Sequence, residues 1–291
     1  MATVNAMRTR LDTGFPTQDA QYDFTRVRRQ RVAAQLRGWM RREASDVNMI
    51  LPFEEVIDAL GRAGERHLGL HEIPLDSIVG TVDRSRDFDR AFRPISTRTR
   101  PRWERIAGAL RRGEDMPPIS VFRIGDLHFV RDGHHRVSVA RALGRHSIEA
   151  YVTEVLTKVG ADSGIRLHDL PVKGHERLFF ERVPLTREAR GEIRLSDPWG
   201  YAELAEGVEA WGFRLMQGRG EFLTRQQVAE AWYREEYRPV VEMIREADLL
   251  DGGTPTDAYM RISRERYRLM RTHDWNAVSY THLTLPTTPY V

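Results

Sequence analysis

The sequence predicts a mixed α/β (α+β) protein, a small strand-containing domain followed by a helical one. Three observations carry this. Apolar alternation at Ile119-Ser120-Val121-Phe122, over Leu127–Arg131 and over Ile148–Val152 marks short strands. Stretches with helical spacing separate them, giving strand, helix, hairpin, helix, strand between about residues 72 and 155. Beyond residue 196 the alternation stops, and helix caps with 3.6-residue spacing take over. A chain of 291 residues holds one large or two ordinary domains.

Composition fits a folded protein, with 41% hydrophobic and 30% charged residues. No run reaches the roughly 20 apolar residues that span a bilayer. The N-terminus lacks the basic, apolar, small-residue order of a secretion signal, so a cytoplasmic location and no membrane partner are expected. The chain has no cysteine. Disulfides, thiol catalysis and thiolate zinc sites are therefore excluded. The net charge is only +3, too small to demand a polyanionic partner. Among the 45 basic residues, all but Lys158 and Lys173 are arginine. A GC-rich genome produces that bias, so arginine clusters count only where their position is special.

Residues 1–49 read as an arm followed by a helix over about Tyr22–Glu43. Its apolar stripe is Phe24, Val27, Val32, Leu36, Trp39 and Met40, and seven arginines from Arg26 to Arg42 coat the rest. A second helix starts at Leu51-Pro52, with Glu54 and Glu55 suiting its positive end, and ends at Gly61 or Gly64. Glu72–Val82 reads as a strand with a short turn inside it. Asp83–Arg90 follows as a charged loop. Pro101–Arg112 is a helix with Trp103, Ile106, Ala107 and Leu110 on one face. Pro117-Pro118 blocks further helix, and Ile119–Arg131 forms a hairpin with a tight turn at Gly125-Asp126.

The hairpin delivers the chain to Asp132-Gly133-His134-His135-Arg136, a sharp turn before a helix that stops at Gly144. A helix start exposes unpaired N–H groups and the positive end of its dipole, so it suits an anion. Gly133 lets a ligand approach the backbone. His134, His135 and Arg136 add donors and positive charge that oppose the dipole, and a bound phosphate would offset this. The bland alternative is a tight turn with solvated polar residues. Asp132 could hold magnesium or stabilise the turn. His134 could shuttle a proton or be a satisfied buried histidine. The charged loop reads as solvated surface or as the source of a second anion contact, Arg84 or Arg86.

The run Ile73-Pro74-Leu75-Asp76-Ser77-Ile78, a helix, Pro118-Ile119-Ser120-Val121, and Val130-Arg131-Asp132-Gly133-His134-His135-Arg136 resembles the ParB/sulfiredoxin superfamily over roughly 85 residues. That family places a glycine, two variable residues and an arginine at a strand–helix turn, which here are Gly133 to Arg136. In its members the turn contacts the phosphates of CTP, ATP or ADP. The resemblance implies a nucleotide-binding module at 50–155 with CTP or ATP as ligand, magnesium as a possible companion, and Gly133, His134, His135, Arg136 and Arg84 at the phosphates. Sulfiredoxin chemistry needs a cysteine beside the arginine, and none is present.

Two other readings accompany this one. A phosphotransferase or nucleotide hydrolase would use Asp132 for magnesium and His134 or Glu72 for proton transfer. A DNA-associated, partition-like protein, possible as a homodimer, would use the arginine-coated first helix. An Arg136 locked in an internal ion pair, or turn amides filled by the protein's own side chains, would remove the basis of phosphate binding.

Residues 156–195, with Gly160, Gly164, Pro171, Gly174 and Pro184, read as an irregular linker. The helical domain at 196–276 opens with Ser196-Asp197-Pro198 as cap and first turn. Thr224 and Gln227 form a capping box for the next helix. Val228, Trp232, Val240, Met243 and Ile244 are its inner face, and Pro239 interrupts it. Gly252-Gly253 ends it, and Thr256-Asp257 caps a last helix to about Arg271. Leu223–Ala229 has only a superficial likeness to a helix-turn-helix. Trp232–Tyr267 resembles an uncharacterised helical region that follows such domains in bacteria. Residues 277–291 lose the arginine bias and resemble adapter read-through, so they are set aside as a non-native tail.

Overall fold

The computed structural model describes residues 12–44, 46–162 and 164–282, the stretch 270–282 by its backbone only. Residues 1–11 of the expected arm and 283–291 of the expected tail lie outside the described residues. The chain divides into two compact units, 1–174 and 175–291.

The first unit is a six-stranded mixed sheet. Its elements are α1 (Pro16–Met40), β1 (Leu51–Pro52), α2 (Phe53–Leu60), β2 (Arg62–Pro74), β3 (Ile78–Thr81), α3 (Arg100–Arg111), β4 (Ile119–Ile124), β5 (Leu127–Asp132), α4 (His134–Ala142) and β6 (Ser147–Thr157). The strand order is β1-β3-β5-β4-β6-β2. β4 and β5 form the expected hairpin, and β6 runs parallel to β4. The segment expected as one strand with an internal turn is two strands at opposite sides of the sheet. β2 pairs with β6 at one edge, and after a 3-10 turn at Leu75–Ser77 β3 pairs with β5 near the other. β2 also begins ten residues earlier than expected, because most of its side chains are exposed and so leave no apolar alternation to read.

Helix α4 lies between two apolar clusters. Val137 and Ala140 pack onto Ile73, Val121, Val130, Ala150 and Val152 of the sheet. Val139 and Leu143 face Ala20, Phe24 and Val27 of α1 and Trp103, Ala107 and Leu110 of α3. The Trp103 indole N–H donates to Ser138 Oγ at 2.8 Å, joining α3 to α4. Between α1 and α3, Arg111 reaches the buried carboxylates of Asp19 and Asp23. On the other sheet face Phe53 of α2 stacks on Phe122 and meets Phe129 edge-on.

The second unit is helical, as expected, but its details differ. The linker reading of 156–195 gives way to two helices, α5 (Leu170–Arg182) and α6 (Arg187–Glu192). Pro171 sits in the first turn of α5, where a missing N–H costs nothing. Helix α7 (Gly200–Arg219) starts four residues after Ser196, and Trp199 is its cap. The Thr224/Gln227 capping box opens α8 (Arg225–Trp232). A π-turn at Tyr233–Tyr237 then leads into α9 (Arg238–Glu246), with Pro239 in its first turn. Met243, expected inside, is 58% exposed. α10 (Pro255–His282) runs past Arg271. Its cap is Thr254 rather than Thr256, because Thr254 and Asp257 bond each other's backbone N–H groups. Thr256 is instead buried against the Tyr237 hydroxyl at 2.7 Å. Tyr237 and Tyr259 are core residues of this unit, Tyr237 tilted against Trp232 and Tyr259 meeting it edge-on.

Candidate functional site

The site is built where β5 ends and α4 begins. Gly133 has φ +103, the left-handed region that favours glycine. A Cβ there would sit 2.4 Å from Ile119 Cγ2, so the turn admits no side chain. With Gly133 as cap and no side-chain acceptor, the N–H groups of His134, His135 and Arg136 have no hydrogen-bond partner among the described residues. They form a positive pole with no internal acceptor.

The two histidines do not bring the positive charge expected of them, and His134 takes the alternative of a satisfied buried histidine. His134 and His135 are 5% and 7% exposed. Burial pushes both pKa values down to about 4, since an imidazolium loses its hydration there. Arg84 adds to this at His134, and Arg102 and Arg84 add to it at His135. Both rings are neutral near pH 7, so the conflict with the helix dipole disappears. His134 Nε2 shares a 2.6 Å hydrogen bond with Thr81 Oγ1, which also accepts from the Arg84 N–H. Phe88 and Phe92 stack beside the His134 ring. A neutral, buried and bonded imidazole suits shaping the turn better than shuttling protons. His135 Nε2 is different, for it is buried and has no partner.

Arg136 and Asp132 hold each other. Arg136 Nη2 donates to Asp132 Oδ2 at 2.5 Å, and Nη1 donates to the carbonyls of Pro117 and Pro118 at 2.5 and 2.8 Å. The Arg136 side chain is only 13% exposed, against 67% for Asp132. The guanidinium expected at the phosphate is thus spent on fixing the segment before β4 to the turn. Of the two conditions set against phosphate binding, either of which removes its expected basis, the ion pair is present, so a phosphate held by Arg136 is not supported; what is left for an anion is the turn's unbonded amides. Asp132 is a single carboxylate already paired with Arg136, and among the described residues no group of three or more acidic or histidine side chains is placed to hold a metal ion without a ligand's oxygens.

Arg84 lies near the α4 start, its backbone N–H donating to the Thr81 Oγ1 that also bonds His134. It is part exposed and paired with Asp87 at 3.1 Å. The charged loop is not simply solvated, since Phe88 and Asp89 within it are buried. Arg102 was missed by sequence reasoning. It is exposed at the beginning of α3, one residue before the buried Trp103, and that offset was the only available signal. Glu72 is not brought to the site. It lies on β2, three strands from Asp132, or about 14 Å at ~4.8 Å per strand, and bonds Ser147.

Among the described residues no helix is long and apolar enough to cross a membrane. No family model and no curated protein matches the chain. Among solved structures, sulfiredoxin from Arabidopsis thaliana is similar over 30% of this chain and 86% of its own, at 20% identity and a TM-score of 0.24.

Proposed function

We propose that the first unit is a nucleotide-phosphate-binding module of the ParB/sulfiredoxin type, taking the phosphates of CTP or ATP at the start of α4. The observation that carries this reading is the first turn without an internal acceptor. Three unpaired N–H groups follow a glycine that no side chain can replace. Two arginine charges, Arg84 and Arg102, act on the same turn, and a buried imidazole nitrogen at His135 lacks a partner. Unpaired amides at a positive helix pole favour an oxyanion, and an orphaned buried donor or acceptor is a cost that a ligand oxygen or its water would relieve. Arg136 and Asp132 are then positioning residues, and Arg84 and Arg102 are the charge contacts.

Thermal unfolding with CTP, ATP, ADP and inorganic triphosphate, each with and without magnesium, tests the reading. A ligand at about 100 times its Kd adds about 2.7 kcal/mol, a shift of several degrees. Arg102→Gln should lower the affinity. Unchanged unfolding with all four compounds would refute the proposal.

A further inference from the structure

Helix α1 has two halves with different surroundings. In the first, Ala20, Phe24 and Val27 are buried against α3 and α4. In the second, the stripe expected to continue inward instead faces out, with Val32 52%, Leu36 56%, Trp39 79% and Met40 67% exposed. Their spacing puts them within about 100° on one side of the helix. Side chains this apolar are not left together on a surface without a use or a cost.

We propose that this stripe is a docking seam for an acidic amphipathic helix of a partner protein. Two features select that occupant. The first is width. Val32, Leu36 and Trp39 follow the alternating four- and three-residue spacing of a seam that meets one facing helix, whereas a helix lying in a lipid surface needs a broader apolar face. The second is charge. No acidic residue lies between Asp23 and Glu43, while Arg28, Arg29, Arg31, Arg37, Arg41 and Arg42 do. Arg28 sits at a flanking position of the seam, where complementary carboxylates set partner choice, and Arg41 and Arg42 follow directly on the helix end at Met40. A second copy of α1 would bring arginines against arginines. Nucleic acid would use the arginines but not four apolar side chains.

The test uses the full chain and a fluorescent synthetic peptide of about 20 residues, long enough to form helix, with leucine at alternating third and fourth positions and glutamate elsewhere. Saturable binding, weakened by salt and at least tenfold weaker for the Val32→Ala/Leu36→Ala double variant, is expected. Both substituted side chains are exposed, and unchanged thermal unfolding of the variant confirms that its fold is intact. Any of four results overturns the proposal. These are no binding of the acidic peptide, equal binding of a lysine counterpart or by the double variant, binding of phosphatidylglycerol vesicles or a DNA duplex through the stripe in the peptide's place, or a dimer in sedimentation that Leu36→Glu dissolves.

Discussion

Lowering the pH from 7.5 to 5.5 should weaken the first unit far more than its carboxylates can account for. His128, His134 and His135 have pKa values near 4 in the folded protein, each pushed down from 6.5 by burial. Between those values the unfolded chain binds protons that the folded one refuses. Stability is therefore fully present above about pH 6.5 and falls as the pH drops toward 4. Each histidine contributes a slope of about 1.4 kcal/mol per pH unit, so the three together remove about 4 kcal/mol by pH 5.5. That is a large part of the 5–15 kcal/mol typical of a domain. Urea unfolding monitored by hydrogen exchange on peptides from residues 119–142 isolates this unit from the helical one. His135→Leu should make the slope shallower by about one third, since it removes one proton site and the unpartnered nitrogen together. A stability that stays level from pH 7.5 to 5.5, or a slope untouched by His135→Leu, would refute the neutral-histidine account.

Other consequences can be checked by the same kind of measurement. Gly133→Ala should cost about 2–5 kcal/mol, combining a left-handed backbone with a Cβ pressed on Ile119, visible as a lowered urea midpoint. Arg136→Leu should cost about 1–3 kcal/mol by leaving the Pro117 and Pro118 carbonyls unpaired, whereas Asp132→Asn, at an exposed carboxylate, should cost less than about 1 kcal/mol. In calorimetric titrations with triphosphate, Asp132→Asn should leave affinity unchanged or raise it a few-fold, because it removes a negative charge. A drop would assign Asp132 to metal binding instead. Asp23→Asn should cost about 1.5–3 kcal/mol, since it removes the shorter of the two ion pairs that Arg111 makes with buried carboxylates and leaves Asp19 at 3.5 Å, and the thermal midpoint reports it.

What could be read from the residues was what short-range chemistry decides. The tight turn at Gly125, the turn at Asp132-Gly133 and the end of α4 at Gly144 each need backbone angles that glycine supplies, and all three glycines have positive φ. The hairpin between Ile119 and Asp132 followed from its alternation. The separation of β2 from β3 did not, because pairing with β6 or β5 is settled by residues far along the chain. Helices α5 and α6 were hidden by Pro171 and Gly174, which read as breakers although one occupies a tolerant first turn. At the candidate site, the glycine and the helix start were visible, but Arg136's partners were not. Two of its three acceptors are carbonyls of Pro117 and Pro118, and no pattern in side-chain type announces a bond to a backbone oxygen. His134 and His135 are neutral because they are buried, in part beside Phe88 and Phe92; Phe88 comes from the loop that read as charged and Phe92 from just beyond it.

The pairing of β2 with β6 bears on how the protein emerges from the ribosome. Arg62 aligns with Thr157 and Pro74 with Ser147, so β2 must wait for roughly 70–95 more residues, about 4–20 s of synthesis at ~5–20 residues per second. During that interval it is a nascent segment with no complementary strand. Its own Arg62, Glu65, Arg66, His67, His71 and Glu72 keep it wettable and discourage neighbouring polysomal chains from annealing to it.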